Sequence, residues 1–85
     1  MARKIRFVDI YILYDDLDAS IIEELLEECN IDCIVRDLDM VDTVDRAGMV
    51  GKRVAVEAGQ EDNARQIIRD AIRSGLISNE GSFET

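Results

Sequence analysis

The stretch LDASIIEELLEECNIDCIVRD, residues 17–37, decides how the chain folds, because an amphipathic helix in it runs straight into a strand. Leu17, Ile21, Ile22, Leu25, Leu26 and Cys29 recur at i, i+4, i+5, i+8, i+9 and i+12, which predicts one apolar stripe on a helix over residues 17–29. Glu23, Glu24, Glu27 and Glu28 take the other side. Asp15, Asp16 and Asp18 suit the unpaired amides and the positive end of the helix dipole, and Asp16 is the expected cap because Leu17 then joins the stripe. Ser20 with Glu23 offers a later capping box. Asn30 fits the left-handed position that ends a helix, with Ile31 placed to touch Leu26. In the strand that follows, residues 32–37, Cys33 and Val35 point one way and Ile34 and Arg36 the other.

Working outward, residues 5–14, IRFVDIYILY, are β-branched and aromatic and predict a strand of up to ten residues. Strict alternation puts Val8, Ile10, Ile12 and Tyr14 on one face and Phe7, Tyr11 and Leu13 on the other. After the central helix and strand, residues 38–51 are too long for a tight hairpin and unusually apolar for a loop. A strand over residues 52–58 then turns at Gly59 into a second helix, residues 61–74, with Ala64, Ile67, Ile68, Ala71 and Ile72 as its core stripe. Gly75 closes that helix, and Leu76 is placed to contact Ala71. A single domain over residues 1–77 is expected, followed by a flexible polar tail, 78–85.

The order β-α-β-β-α predicts an α+β fold of the ferredoxin-like, split β-α-β kind. It would have a three-stranded sheet in the order first, third, second, two helices on one face, and no fourth strand. The first strand would then lie at an edge, with only Asp9 to blunt it. A second copy pairing antiparallel through residues 7–13 is the expected cover, giving a homodimer, with residues 76–85 as the rival.

Ten basic against 19 acidic residues give a net charge of −9, which works against binding nucleic acid or an anionic membrane surface. No apolar run approaches the length of a membrane span and no signal-peptide pattern is present, so a cytoplasmic protein is expected. A chain of 85 residues buries too little surface to enclose a deep cavity alone.

Candidate chemistry is sparse. Cys29 and Cys33 are the only thiols and no histidine is present, so one chain cannot fill a structural zinc site, and two small buried residues in a reducing compartment are the plainer reading. Asp37, Asp39, Asp42 and Asp45 recur through the loop without the spacing of a calcium-binding loop, which favours a solvated acidic segment over a cation site. Arg65, Arg69 and Arg73 form a row on the second helix that, with Arg53 and Lys52, could meet a phosphate or carboxylate. Charge pairing is the plainer use: residues 15–45 carry one Arg against eight Asp and four Glu, net −11, and the row could lie near the first helix's glutamates. Hydroxyls lack a matched base, and GMVGKR, residues 48–53, lacks the spacing of a phosphate-binding loop. No catalytic residue, metal site or cofactor is expected, and the chain does not read as an enzyme.

YDDLDASIIEELLEECNIDCIVRD, followed by KRVAVEAGQEDNARQIIRDAI, resembles a small bacterial domain of unknown function labelled "putative prokaryotic signal-transducing protein". The resemblance runs over residues 8–74 apart from the 38–51 loop, and rests on the acidic turn before the first helix, the helix-to-strand passage and the acidic start of the second helix. It implies likeness to the ferredoxin-like PII regulators, whose long loop between the second and third strands contacts partner proteins. The implied function is a regulatory or protein-interaction module that contacts its partner through Met40, Val41, Val44 and Met49. The alternative is a small-molecule or anion sensor using Arg53, Arg65, Arg69 and Arg73.

Overall fold

A computed structural model describes residues 5–38 and 51–84 of the chain. The three β-branched stretches form β1 (Phe7–Leu13), β2 (Cys33–Asp37) and β3 (Lys52–Glu57), and the two periodic stretches form α1 (Asp16–Glu28) and α2 (Glu61–Arg73). A further strand, β4 (Ser82–Phe83), follows α2. The class is α+β. The sheet is fully antiparallel, with strands in the order β2-β3-β1-β4, so the expected β1-β3-β2 order stands but the three-stranded sheet becomes four-stranded.

β4 alters two expectations together. Tyr11 pairs with Phe83 and Ile12 with Ser82, so the edge of β1 expected to meet a second copy is occupied there by the chain's own residues. The segment expected to be a flexible tail is tied to the domain instead. Ile77 is buried, and the Ser78 amide and hydroxyl both donate to Asp18 Oδ2, at 3.1 and 2.8 Å. The rival cover is the one found, because only a short connection separates Arg73 from that edge.

Strict alternation fails in β1. Asp9 lies opposite Ala55 and Tyr11 opposite Val54, leaving Ile10 as an extra residue. Such a bulge shifts every following side chain to the other face. Ile10, Tyr11 and Leu13 are therefore all buried in the core with Val54 and Val56, whereas Ile12, expected beside Ile10, sits across from Arg53 outside that core. β2 alternates as expected: Cys33 and Val35 pack against the core, and Ile34 and Arg36 are exposed.

Asp15, not Asp16, caps α1: its Oδ1 accepts from the amides of Leu17 at 2.8 Å and Asp18 at 3.2 Å. The stripe is also narrower than expected. Ala19, Ile22 and Leu26 are buried, Ile21 and Leu25 only partly, and Leu17 is 71% exposed. Leu17 lies five residues before Ile22, which at 3.6 residues per turn places it about 140° around the helix. Burying Ile22 and Leu26 fully contributes roughly 1.5–3 kcal/mol for each side chain. Asn30, at φ 60°, ends the helix as its type suggests, and the Ile31 amide donates to the Leu26 carbonyl at 3.0 Å. On α2 the stripe is Ala64, Ile68 and Ala71, with Ile67 and Ile72 at its margins. Gly75, at φ 82°, closes it, and the Leu76 amide donates to the Ala71 carbonyl at 2.9 Å.

The two candidate caps are separable by stability. Asp15→Ala is expected to cost about 1 kcal/mol in urea unfolding, the usual loss for a helix cap. Asp16, whose 84% exposed side chain lies 3.4 Å from Lys52 Nζ, is expected to cost less than about 0.5 kcal/mol when replaced by Ala. Equal losses would show that the cap is shared.

Candidate functional site

The two helices diverge enough to leave an apolar groove between them. At one end is a hollow of ≈ 290 Å³ lined by Leu25, Ile67, Asp70, Ala71, Ser74 and Leu76. At the other, one of ≈ 330 Å³ is lined by Cys29, Ile31, Gln60, Asn63, Gln66 and Ile67. Ile67 belongs to both, so the two hollows adjoin over the helix pair. Its apolar walls follow from the narrow stripes, because Leu25 and Ile67 flank the buried rows instead of lying in them. Leu76, after the left-handed turn at Gly75, is 55% exposed.

The charge on the α1 side of this groove is acidic, whereas α2 also carries Arg65, Arg69 and Arg73. The groove's one charged lining residue is Asp70, and α1, on one side, carries Asp16, Asp18, Glu23, Glu24, Glu27 and Glu28 with no basic residue. Helical spacing puts Glu28 on the same side of α1 as Leu25, Glu24 away from the core, and Glu23 and Glu27 toward β2. Glu23 and Glu27 accordingly act on Cys33.

The arginines expected to form an anion site do not converge. Arg65 pairs with Asp62 at 3.1 Å, Arg73 with Asp70 at 3.5 Å, and the Arg69 guanidinium lies 5.0 Å from the centre of the Phe83 ring. None of these partners is a glutamate of α1. Arg53 stands on the face of the sheet away from the helices, bonded to Glu84 at 3.0 Å and 3.7 Å from Asp9, which also pairs with Arg36 at 3.0 Å. Lys52 bridges Asp37 at 2.5 Å and Asp16 at 3.4 Å; its hydrogen bond to Asp37 raises its pKa most, burial opposes, and Asp16 adds to the rise. Asp37 is thus engaged by a cation of the chain itself.

Met40, Val41, Val44 and Met49, expected to contact a partner, lie outside the described residues, as do Asp39, Asp42 and Asp45. The ends of their segment are described: the Leu38 amide donates to the Gly51 carbonyl at 2.7 Å. A Cβ on Gly51 would come within 2.7 Å of Leu38 Cδ1 and 2.8 Å of Tyr14 Cε1, so a larger residue there would require those side chains to move.

Sequence reading missed the groove, because two separate helices form it and neither contains its pattern. It also missed the segment after α2, whose polar composition hides carboxylates aimed at backbone amides. Glu80 Oε2 accepts from the amides of Tyr14 at 2.9 Å and Asp15 at 3.3 Å.

The cysteines are both free, Cys29 exposed and Cys33 half-buried. Burial pushes the Cys33 thiol up to about 11, and Glu23, Glu27 and Asp32 add to the shift. The folded chain therefore holds that proton where the unfolded chain would release it, so this group's effect on stability is a loss as pH rises above the ordinary thiol range. In a Cys29→Ser variant, alkylation of Cys33 by iodoacetamide is expected to rise about tenfold per pH unit from about pH 8 to about pH 10. A plateau near pH 9 would contradict the raised value.

No curated protein and no solved structure matches the chain. A family model described as "Putative prokaryotic signal transducing protein" matches residues 7–72, which takes in every element from β1 to nearly the end of α2. The match covers most of the chain, and the protein belongs to that family.

Proposed function

We propose that this signal-transducing family member is a cytoplasmic, non-catalytic regulatory module that acts by binding a partner protein, and that the groove between α1 and α2 receives a basic amphipathic helix of that partner. The observation that carries the reading is the combination of two neighbouring hollows between the helices, which share Ile67 and expose Leu25 and Leu76, with an α1 flank that carries acidic residues and no basic one. A helix laid into a groove is read through apolar anchors three and four residues apart. Basic residues flanking those anchors would face Glu28 on the α1 rim. The net charge of −9 would speed the encounter with such a partner and discourage acidic ones.

Contact through Met40, Val41, Val44 and Met49 remains part of this proposal on sequence grounds alone, as the likeness to PII regulators implies. The anion-sensor alternative has less support, since Arg65 and Arg73 face neighbouring carboxylates and Arg53 lies on the other side of the sheet.

Two synthetic helical peptides with identical leucine spacing test the groove, one carrying lysines and the other glutamates on its polar face. Calorimetric titration is expected to show binding of the lysine peptide only, weakening as salt is raised. Leu76→Lys in the protein should cut that affinity at least tenfold, about 1.4 kcal/mol. Binding of neither peptide, or of both equally, would refute the proposal.

A further inference from the structure

The β1 edge carries a built receptor for an extended peptide, visible because residues 80–84, EGSFE, are seated in it. Each position meets a different demand. The Glu80 carboxylate accepts from the amides of Tyr14 and Asp15, where β1 gives way to α1. At Gly81 a Cβ would stand 2.5 Å from Tyr11 Cζ and Oη and 2.7 Å from the Ile12 carbonyl, so no larger residue fits. Ser82 pairs with Ile12 through the ladder and its side chain is exposed, so this position is not selective. The Phe83 ring lies 4.8 Å from that of Tyr11, tilted by 59°, with Arg69 over it. Glu84 donates its amide to the Ile10 carbonyl at 2.8 Å and places its carboxylate on Arg53 at 3.0 Å.

The occupant is held by contacts that exchange easily. Past Ile77, no residue of the segment is fully buried. The Arg53–Glu84 pair is partly exposed, and such pairs contribute about 0–1 kcal/mol. β4 has two residues against seven in β1, and among the described residues no strand pairs with residues 7–9 on that side. A longer strand would gain ladder hydrogen bonds that β4 does not make.

We propose that the β1 edge is a strand-addition site for an extended segment of another protein with the pattern acidic, glycine, any residue, aromatic, acidic, and that residues 80–84 are its resident, displaceable occupant. The site is separate from the helix groove and does not rest on it. Ile77 and the Ser78–Asp18 bonds lie ahead of the slot, so the segment can leave it while the helices stay in place.

The test uses the full chain carrying Gly81→Val, whose new side chain cannot enter beside Tyr11. A fluorescent peptide of sequence SNEGSFE is titrated against it and against the unaltered chain, with amide NMR spectra confirming that both are folded. The peptide is expected to bind the variant at least tenfold more tightly, because the tethered segment competes in the unaltered chain at high effective concentration. The same peptide with valine in place of its glycine should not bind. Where Gly81→Val prevents folding, the double change Phe83→Asp with Glu84→Arg empties the slot by removing the ring contact and reversing the ion pair. No binding to a folded, emptied chain, or equal binding to both chains, would overturn the proposal. A dimer of the unaltered chain that Gly81→Val dissolves would also overturn it, by giving the slot to segment exchange between copies.

Discussion

The bulge at Ile10 is the constraint on which the architecture depends. A strand in strict alternation can offer a helix layer only every second residue. β1 offers Ile10, Tyr11 and Leu13 because the extra residue turns two consecutive side chains the same way. Since β1 is flanked by β3 and β4, these residues sit at the middle of the sheet under both helices. Tyr11 then performs two tasks. Its ring is core, and its hydroxyl end reaches the segment after α2, where Gly81 makes room for it. Burial, followed by the nearby Glu80 and Asp18 carboxylates, raises its pKa against an opposing backbone hydrogen bond with Gly81, so the phenol stays neutral beneath that segment.

Much of this was legible in the residues, and the boundary has a physical cause. Interactions spanning three to five residues, such as the Asn30 and Gly75 helix ends and the Ala64, Ile68 and Ala71 stripe, are encoded locally and read correctly. The order β1-β3-β2 followed from the handedness of a crossover, which is also local in origin. What stayed hidden depends on partners far apart in sequence. No pattern in FVDIYIL marks the bulge, because it is set by pairing with β3, and Asp18 reads as a helix-start residue until Ser78 arrives to bond it. Leu17 is an error of another kind. Its distance from Ile22 is visible in the sequence, and counting angles instead of spacings places it off the stripe.

The candidate site shows the same division. The glutamates of α1 and the apolar flanks of both helices are each readable, but the groove exists only in the angle at which the helices meet, which no one-dimensional pattern carries. The arginines show the converse. Their even spacing suggests a common purpose, yet two serve neighbours three residues away and one covers an aromatic ring. In a chain this acidic, a row of cations is consumed locally before it can address a ligand.

The bond that closes the sheet at Leu38 and Gly51, with Lys52 bridging Asp37 and Asp16 beside it, bears on how the family can diversify. The two ends of the intervening segment are thus held together by the same ladder. Doubling the length of such a segment costs only about 0.6 kcal/mol in closure entropy. The neck is therefore a permissive port. Descendants of one ancestral sheet could exchange whole recognition segments there, changing what they attend to without relearning how to fold.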